Sequence, residues 1–211
     1  MKTPSALIDP ADRLRLEASV VEAERATAGE LVVCVVRACD EYGSLGWRLG
    51  VTLAALALLG GGALWPEATQ VDLLGMQCAA LLLGHGLARL APIRRALLPE
   101  ALLERHVAER AHAAFAEHGL TRTRGRTGVL LFVALLERRV VVLADEGIHR
   151  VLGPDESWQA VVDLATEGLR SGRAVEGLDA AIHRCGEILR AHLPASPRHL
   201  NELPNAIVLE D

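Results

Sequence analysis

The sequence predicts an α/β domain interrupted by a transmembrane helical hairpin. Three observations carry this reading. Residues 49–65 and 73–88 contain no Asp, Glu, Lys or Arg, whereas charge is evenly spread elsewhere. A continuous β-branched run at 31–36 precedes these segments, and two apolar β-type runs, 128–136 and 139–144, follow them. A single strand cannot form a sheet alone, so the first run must pair with the later two. The apolar pair is then an insertion within one domain.

The elements follow in order. Residues 1–8 read as a loose tail. Asp9 offers an N-cap and Pro10 the favoured first helical position. Leu14, Val20 and Val21 mark an apolar helical face that runs to Ala28, and Gly29 stops it. The run at 31–36 is that of a strand buried on both faces. The membrane candidates span about residues 45–65 and 71–90. About 20 apolar residues cross the hydrocarbon core, a length reached here if Arg48 and Arg89 snorkel at the interface. Trp47 and Trp65 stand at the ends of the first span, where aromatic belts form. Pro66-Glu67-Ala68-Thr69-Gln70 permits only a tight connection. Two buried helices in a soluble core would need more surrounding chain than 211 residues supply.

Beyond the hairpin, 99–117 is an Ala-rich charged helix, and 121–127 is a basic loop with Arg122, Arg124 and Arg126. The runs 128–136 and 139–144 make a tight antiparallel pair, ended by Asp145-Glu146-Gly147. Two helices, 157–171 and 174–192, flank Gly172. The domain is therefore discontinuous, over 1–44 and 94–193. The hairpin occupies 45–93, and a flexible C-terminal tail carrying Pro194, Pro197 and Pro204 occupies 194–211.

Three segments resemble the TPM-domain family of thylakoid-lumen, photosystem-repair and receptor-accessory proteins. They are Ala28-Gly29-Glu30-Leu31-Val32-Val33, Thr127-Gly128-Val129-Leu130-Leu131-Phe132-Val133, and Arg138-Arg139-Val140-Val141-Val142-Leu143-Ala144-Asp145-Glu146-Gly147-Ile148. The resemblance is to a bacterial-type member carrying an inserted hairpin. It implies a three-layer α/β/α fold. It also implies roles that differ among members: phosphatase activity, calcium binding, or assistance to membrane complexes. Two departures stand out. The hairpin interrupts the domain after its first strand, and Asp145-Glu146-Gly147-Ile148 has one glycine where many members have two.

Net charge is -5, so no global basic field invites nucleic acid. No Cys-x5-Arg or phosphate-loop motif is present, and no catalytic residue is assigned. Cys34, Cys39, Cys78 and Cys185 form no metal-type spacing and read as buried reduced thiols. His106, His112 and His118 recur every six residues, which turns them to different sides of a helix. The metal candidates are Asp40, Asp145 and Glu146. Each follows an apolar strand, and if the strands run parallel they share one sheet edge, where calcium or magnesium would find hard oxygen ligands. Solvated loop acids are the plainer alternative, with Arg37 or Arg150 compensating the charge. The loop at 122–126, with Arg94 and Arg95, suits phosphate or anionic headgroups. His85 lies within the second span, a position that is either functional or interfacial. Gly46-x-x-x-Gly50 and Gly60-Gly61-Gly62 suit close helix contact, within the hairpin or in a homo-oligomer.

Arginines 37, 48, 89, 94 and 95 flank the open side of the hairpin, while its connection has Glu67 and Asp72 and no Lys or Arg. The positive-inside rule then places both termini in the cytoplasm of a two-span inner-membrane protein. The expected function is a membrane-anchored accessory module that binds or maintains a membrane protein complex. The alternative is a metal-dependent hydrolase of the phosphatase type. Expected partners are the lipid bilayer and a second membrane protein.

Overall fold

A computed structural model describes residues 3–152, 157–195 and 201–211. The chain divides into two compact units, one formed by Met1–Cys39 and Glu104–Asp211, the other by Asp40–Leu103.

The first unit is built on a four-stranded mixed sheet. Its strands are β1 (Glu30–Val36), β2 (Gly128–Ala134), β3 (Arg139–Ala144) and β4 (Ile207–Glu210), in the order β3-β2-β1-β4. β1 is parallel to β2, with Glu30 opposite Gly128 and Val36 opposite Ala134. It is also parallel to β4, with Val33 opposite Ile207. β2 and β3 are antiparallel. The pairing of β1 with strands from beyond the hairpin is as the sequence demands. Both central strands are buried along their whole length, the consequence of helices on both faces and the reason their sequences are continuously apolar.

The helices are α1 (Pro4–Leu7), α2 (Pro10–Glu24), α3 (Gly43–Leu64), α4 (Gln70–Leu87), α5 (Ala91–Leu97), α6 (Glu100–Glu117), α7 (Glu146–Val151), α8 (Gln159–Arg170) and α9 (Ala174–His192). On one face, Leu16 and Val20 of α2, Val161 and Ala165 of α8, and Leu178, Ile182 and Leu189 of α9 enclose Leu31, Val33, Val129 and Leu131. On the other, Val107, Ala111, Ala114 and Phe115 of α6 cover Val32, Cys34, Leu130 and Phe132. Alternate residues of each strand thus supply two separate cores, a three-layer α/β/α arrangement.

Asp9 caps α2 by accepting from the Asp12 amide at 2.8 Å. That helix ends at Glu24, before Gly29. Thr27 takes over the termination: its hydroxyl donates to the Leu193 carbonyl at 2.6 Å and accepts from the Gly29 amide.

Two terminal expectations are overturned. Residues 3–8 are not a loose tail, residues 1 and 2 lying outside the described ones: α1 is capped by Thr3, and the Ser5 amide donates to Asp211 at 3.0 Å. Nor is all of 194–211 a flexible tail, since β4 extends the sheet beside β1. Four residues carry too little pattern to announce a strand, and the exposed edge of β1 supplies the pairing that makes one.

The second unit is a helical hairpin, α3 against α4, followed by α5. Glycines set its close approach. A Cβ on Gly84 would lie 2.6 Å from Gly50 Cα, one on Gly50 2.7 Å from the Leu81 carbonyl, and one on Gly46 2.6 Å from His85. Gly46-x-x-x-Gly50 therefore serves packing inside the hairpin, and His85 is part of that packing, with Trp47 5.5 Å from it between ring centroids. An added Cβ at Gly60 or Gly62 meets nothing. Among the described residues α3 alone is long and apolar enough to cross a membrane; α4 qualifies only together with α5, and the two are bent by 95°. Cys78 is exposed on α4, not buried as its apolar neighbourhood suggests.

Candidate functional site

The predicted acidic site depended on β1 and β3 running parallel, and they do not. β3 is antiparallel to β2, which is parallel to β1. Asp145 and Glu146 therefore lie at the edge where β1 begins, whereas the chain leaves β1 towards Asp40 at the opposite edge. The Asp145 amide donates to Gly128, the first residue of β2. Asp40 instead accepts from the Tyr42 amide at 2.8 Å. Asp145 and Glu146 stand together in the first unit, and Asp40 belongs to the second.

The two that remain together are engaged by cations. Asp145, 6% exposed, caps α7 by accepting from the Glu146 amide, and its other oxygen lies 2.9 Å from Arg126. Glu146 accepts from Arg150 at 2.6 Å, and this arginine holds its carboxyl below the usual carboxylate range. At this edge Arg126 stands against Asp145 and Arg150 against Glu146. Arg126, one of the three arginines of the basic loop, is committed to Asp145. The Arg124 amide, in turn, donates to Glu202.

Gly147 explains why this turn needs a glycine. Its amide donates to the Arg126 carbonyl at 2.9 Å. A Cβ there would overlap the Gly125 carbonyl oxygen and lie 2.6 Å from that of Arg126. Both are backbone atoms and cannot swing aside. Gly147→Ala is expected to cost about 1–3 kcal/mol, read as a lower urea midpoint. An unchanged midpoint would show that α7 shifts freely away from the loop.

At the same edge a buried carboxylate, Glu30, and a half-buried one, Glu24, hold the C-terminal segment. Glu30, 1% exposed, accepts from the Glu202 and Leu203 amides at 3.1 and 3.3 Å. Glu24 accepts from the Leu31 amide at 2.7 Å and from the Asn205 side chain. These bonds satisfy part-buried backbone donors, a structural use of both acids.

A different constellation lies on the α6 face of the sheet. Cys34 of β1, His118 just beyond α6 and Glu210 of β4 each offer one ligand atom, and the three atoms lie within 4.8 Å of one another. Cys34 is fully buried, and burial pushes its thiol up to about 12. The Nε2 of His118 is buried and has no hydrogen-bond partner. Glu210 accepts from Arg110 at 2.6 and 2.7 Å, and Arg110 also bonds Glu117 at 3.0 Å. Gly119 holds a left-handed φ of 76°, which ends α6 and fixes where His118 stands. Sequence reasoning missed this group because its members come from three distant elements with no motif spacing. It is the one grouping of three metal-ligating side chains found among the described residues.

The fold defines a mixed α/β protein with a layered four-stranded sheet. Residues 97–188, somewhat less than half of the chain, match the sequence model of the TPM domain. The match takes in α6, β2, β3, α7, α8 and most of α9 and leaves out β1, which the sheet shows to be part of the same unit. The NMR structure of the BA42 protein from the psychrophilic bacterium Bizionia argentinensis is similar over 95% of this chain and 94% of that one. The TM-score is 0.58 at 18% identity, a likeness of fold. No curated protein matches.

Proposed function

We propose that this chain is a membrane-anchored TPM-type accessory module without catalytic activity of its own, which binds or maintains a membrane protein complex. The observation that carries the reading is the surface of the hairpin. Only 11% of the most apolar 18-residue stretch of α3 is buried. Leu59, Leu64, Val71 and Leu82 are 71%, 88%, 77% and 70% exposed. An apolar surface of that extent calls for a non-aqueous neighbour. At 1.5 Å per residue the 22 residues of α3 extend about 33 Å and the 18 of α4 about 27 Å, close to the hydrocarbon thickness. α5, turned by 95°, then lies along the interface with Arg94 and Arg95 towards anionic headgroups. Both termini and the α/β unit are cytoplasmic, because the arginines flank the open side of the hairpin.

Fractionation tests the anchoring. The full chain is expected to stay with membranes through alkaline carbonate washing and to leave them only in detergent. Recovery in the soluble fraction would overturn it. Reporter fusions at residues 1 and 211 should both report cytoplasm. Purification in native detergent should then retain one defined membrane protein, with no turnover of a generic phosphomonoester. Turnover of that ester would favour the hydrolase instead.

A further inference from the structure

We propose that Cys34, His118 and Glu210 form a binding site for a divalent transition metal of the zinc class. Nothing in the membrane reading requires it, and it stands on separate observations. Sulfur, imidazole nitrogen and carboxylate oxygen are the three donor types that zinc takes, and a soft thiolate selects against calcium and magnesium. Donors about 2.0–2.3 Å from a tetrahedral metal lie roughly 3.3–3.8 Å from one another. The three ligand atoms already lie within 4.8 Å, so side-chain adjustments of about 1 Å complete the geometry.

Two features give this grouping more weight than proximity alone. His118 places a buried ring nitrogen without a hydrogen-bond partner beside the group, and a buried polar atom of that kind calls for a ligand to explain it. The surrounding charges also balance. With the thiol protonated, Glu210, Arg110 and Glu117 sum to one negative charge. A divalent cation that displaces the thiol proton brings the group to zero. Arg110 orients Glu210, and one carboxylate oxygen can pass to the metal while the other stays on the guanidinium. Three protein ligands leave a fourth position for water or for a ligand brought by a partner.

The test uses the full chain in detergent, stripped with chelator and titrated with cobalt(II) as the spectroscopic probe for zinc. The expected result is one equivalent bound, with a thiolate-to-cobalt charge-transfer band in the near ultraviolet, reversed by added zinc. Cys34→Ser should abolish the band, and His118→Gln should weaken binding at least about tenfold. Cys78→Ser and Cys185→Ser should leave both unchanged. Circular dichroism of each variant establishes that it is folded. Absence of the band in the unmodified chain, or a band that survives in folded Cys34→Ser, would overturn the proposal. So would cobalt affinity unaltered in folded His118→Gln.

Discussion

A chain ending at Pro204 is expected to lose at least about 5 kcal/mol of stability, comparable to the whole margin of a typical domain. The truncation removes β4, which pairs with β1 from Val33↔Ile207 to Val36↔Glu210 and accepts from the Arg37 amide at 2.8 Å through the Glu210 carbonyl. β1 is buried on both faces, and its second edge is shielded by β4 alone. Without that strand, apolar backbone in the middle of the molecule has unpaired donors and acceptors, each of which costs about 1–3 kcal/mol if it stays buried. Ile207, 0% exposed, also leaves the core it shares with Val33 and Val35. Ile207→Ala isolates that part and should cost about 2–5 kcal/mol. Urea titrations of the three chains, followed by circular dichroism, check both figures. Coincident midpoints for the full and shortened chains would mean that β4 contributes nothing.

Stability should also fall as pH rises from about 4.5 to about 7, through Glu24. Its carboxyl is pushed from 4.5 up to about 7, first by burial and then by the neighbouring charge of Glu30. The hydrogen bonds from Leu31 and Asn205 oppose the rise without cancelling it. The folded chain therefore holds this proton at a pH where the unfolded chain has released it. The stabilisation is complete below about 4.5 and is lost as pH passes through about 7. At 1.36 kcal/mol per pH unit that gap amounts to about 3 kcal/mol. Glu24→Gln keeps an oxygen for the Leu31 amide and removes the titration, so its urea midpoint should stay flatter than that of the unmodified chain over this interval. Parallel pH profiles for the two chains would show that Glu24 titrates normally. The consequence reaches the C-terminus, because Glu24 also bonds Asn205, two residues before β4.

Different parts of the molecule were legible to different degrees. β1 and β2 are written in apolar runs, Leu31–Val36 and Val129–Ala134, because strands covered on both faces admit no polar alternation, and half-buried β3 carries the apolar run Val140–Ala144. The start of α2 is legible for a local reason: Asp9 and Pro10 act on backbone groups a few residues away. The helical hairpin is legible because its charge-free length has no counterpart elsewhere in the chain. Strand direction was not legible in the same way. An apolar run looks alike whichever way it points, and reversing β3 relative to β1 moved Asp145 to the edge opposite the one that leads to Asp40.

The amino-acid order by itself determined the longer helices and the three strands β1, β2 and β3, and that the strand before the hairpin needs partners after it. Those properties follow from near neighbours and from composition over a few turns. Tertiary structure alone decided that Ile207–Glu210 becomes a strand, since four residues form one only against the open edge of β1. It alone decided that Asp145 meets Arg126, and that Cys34, His118 and Glu210 share one place on the α6 face. Each depends on contacts between residues far apart in the chain, which no local pattern encodes; the register and direction of the sheet's strands bring them together.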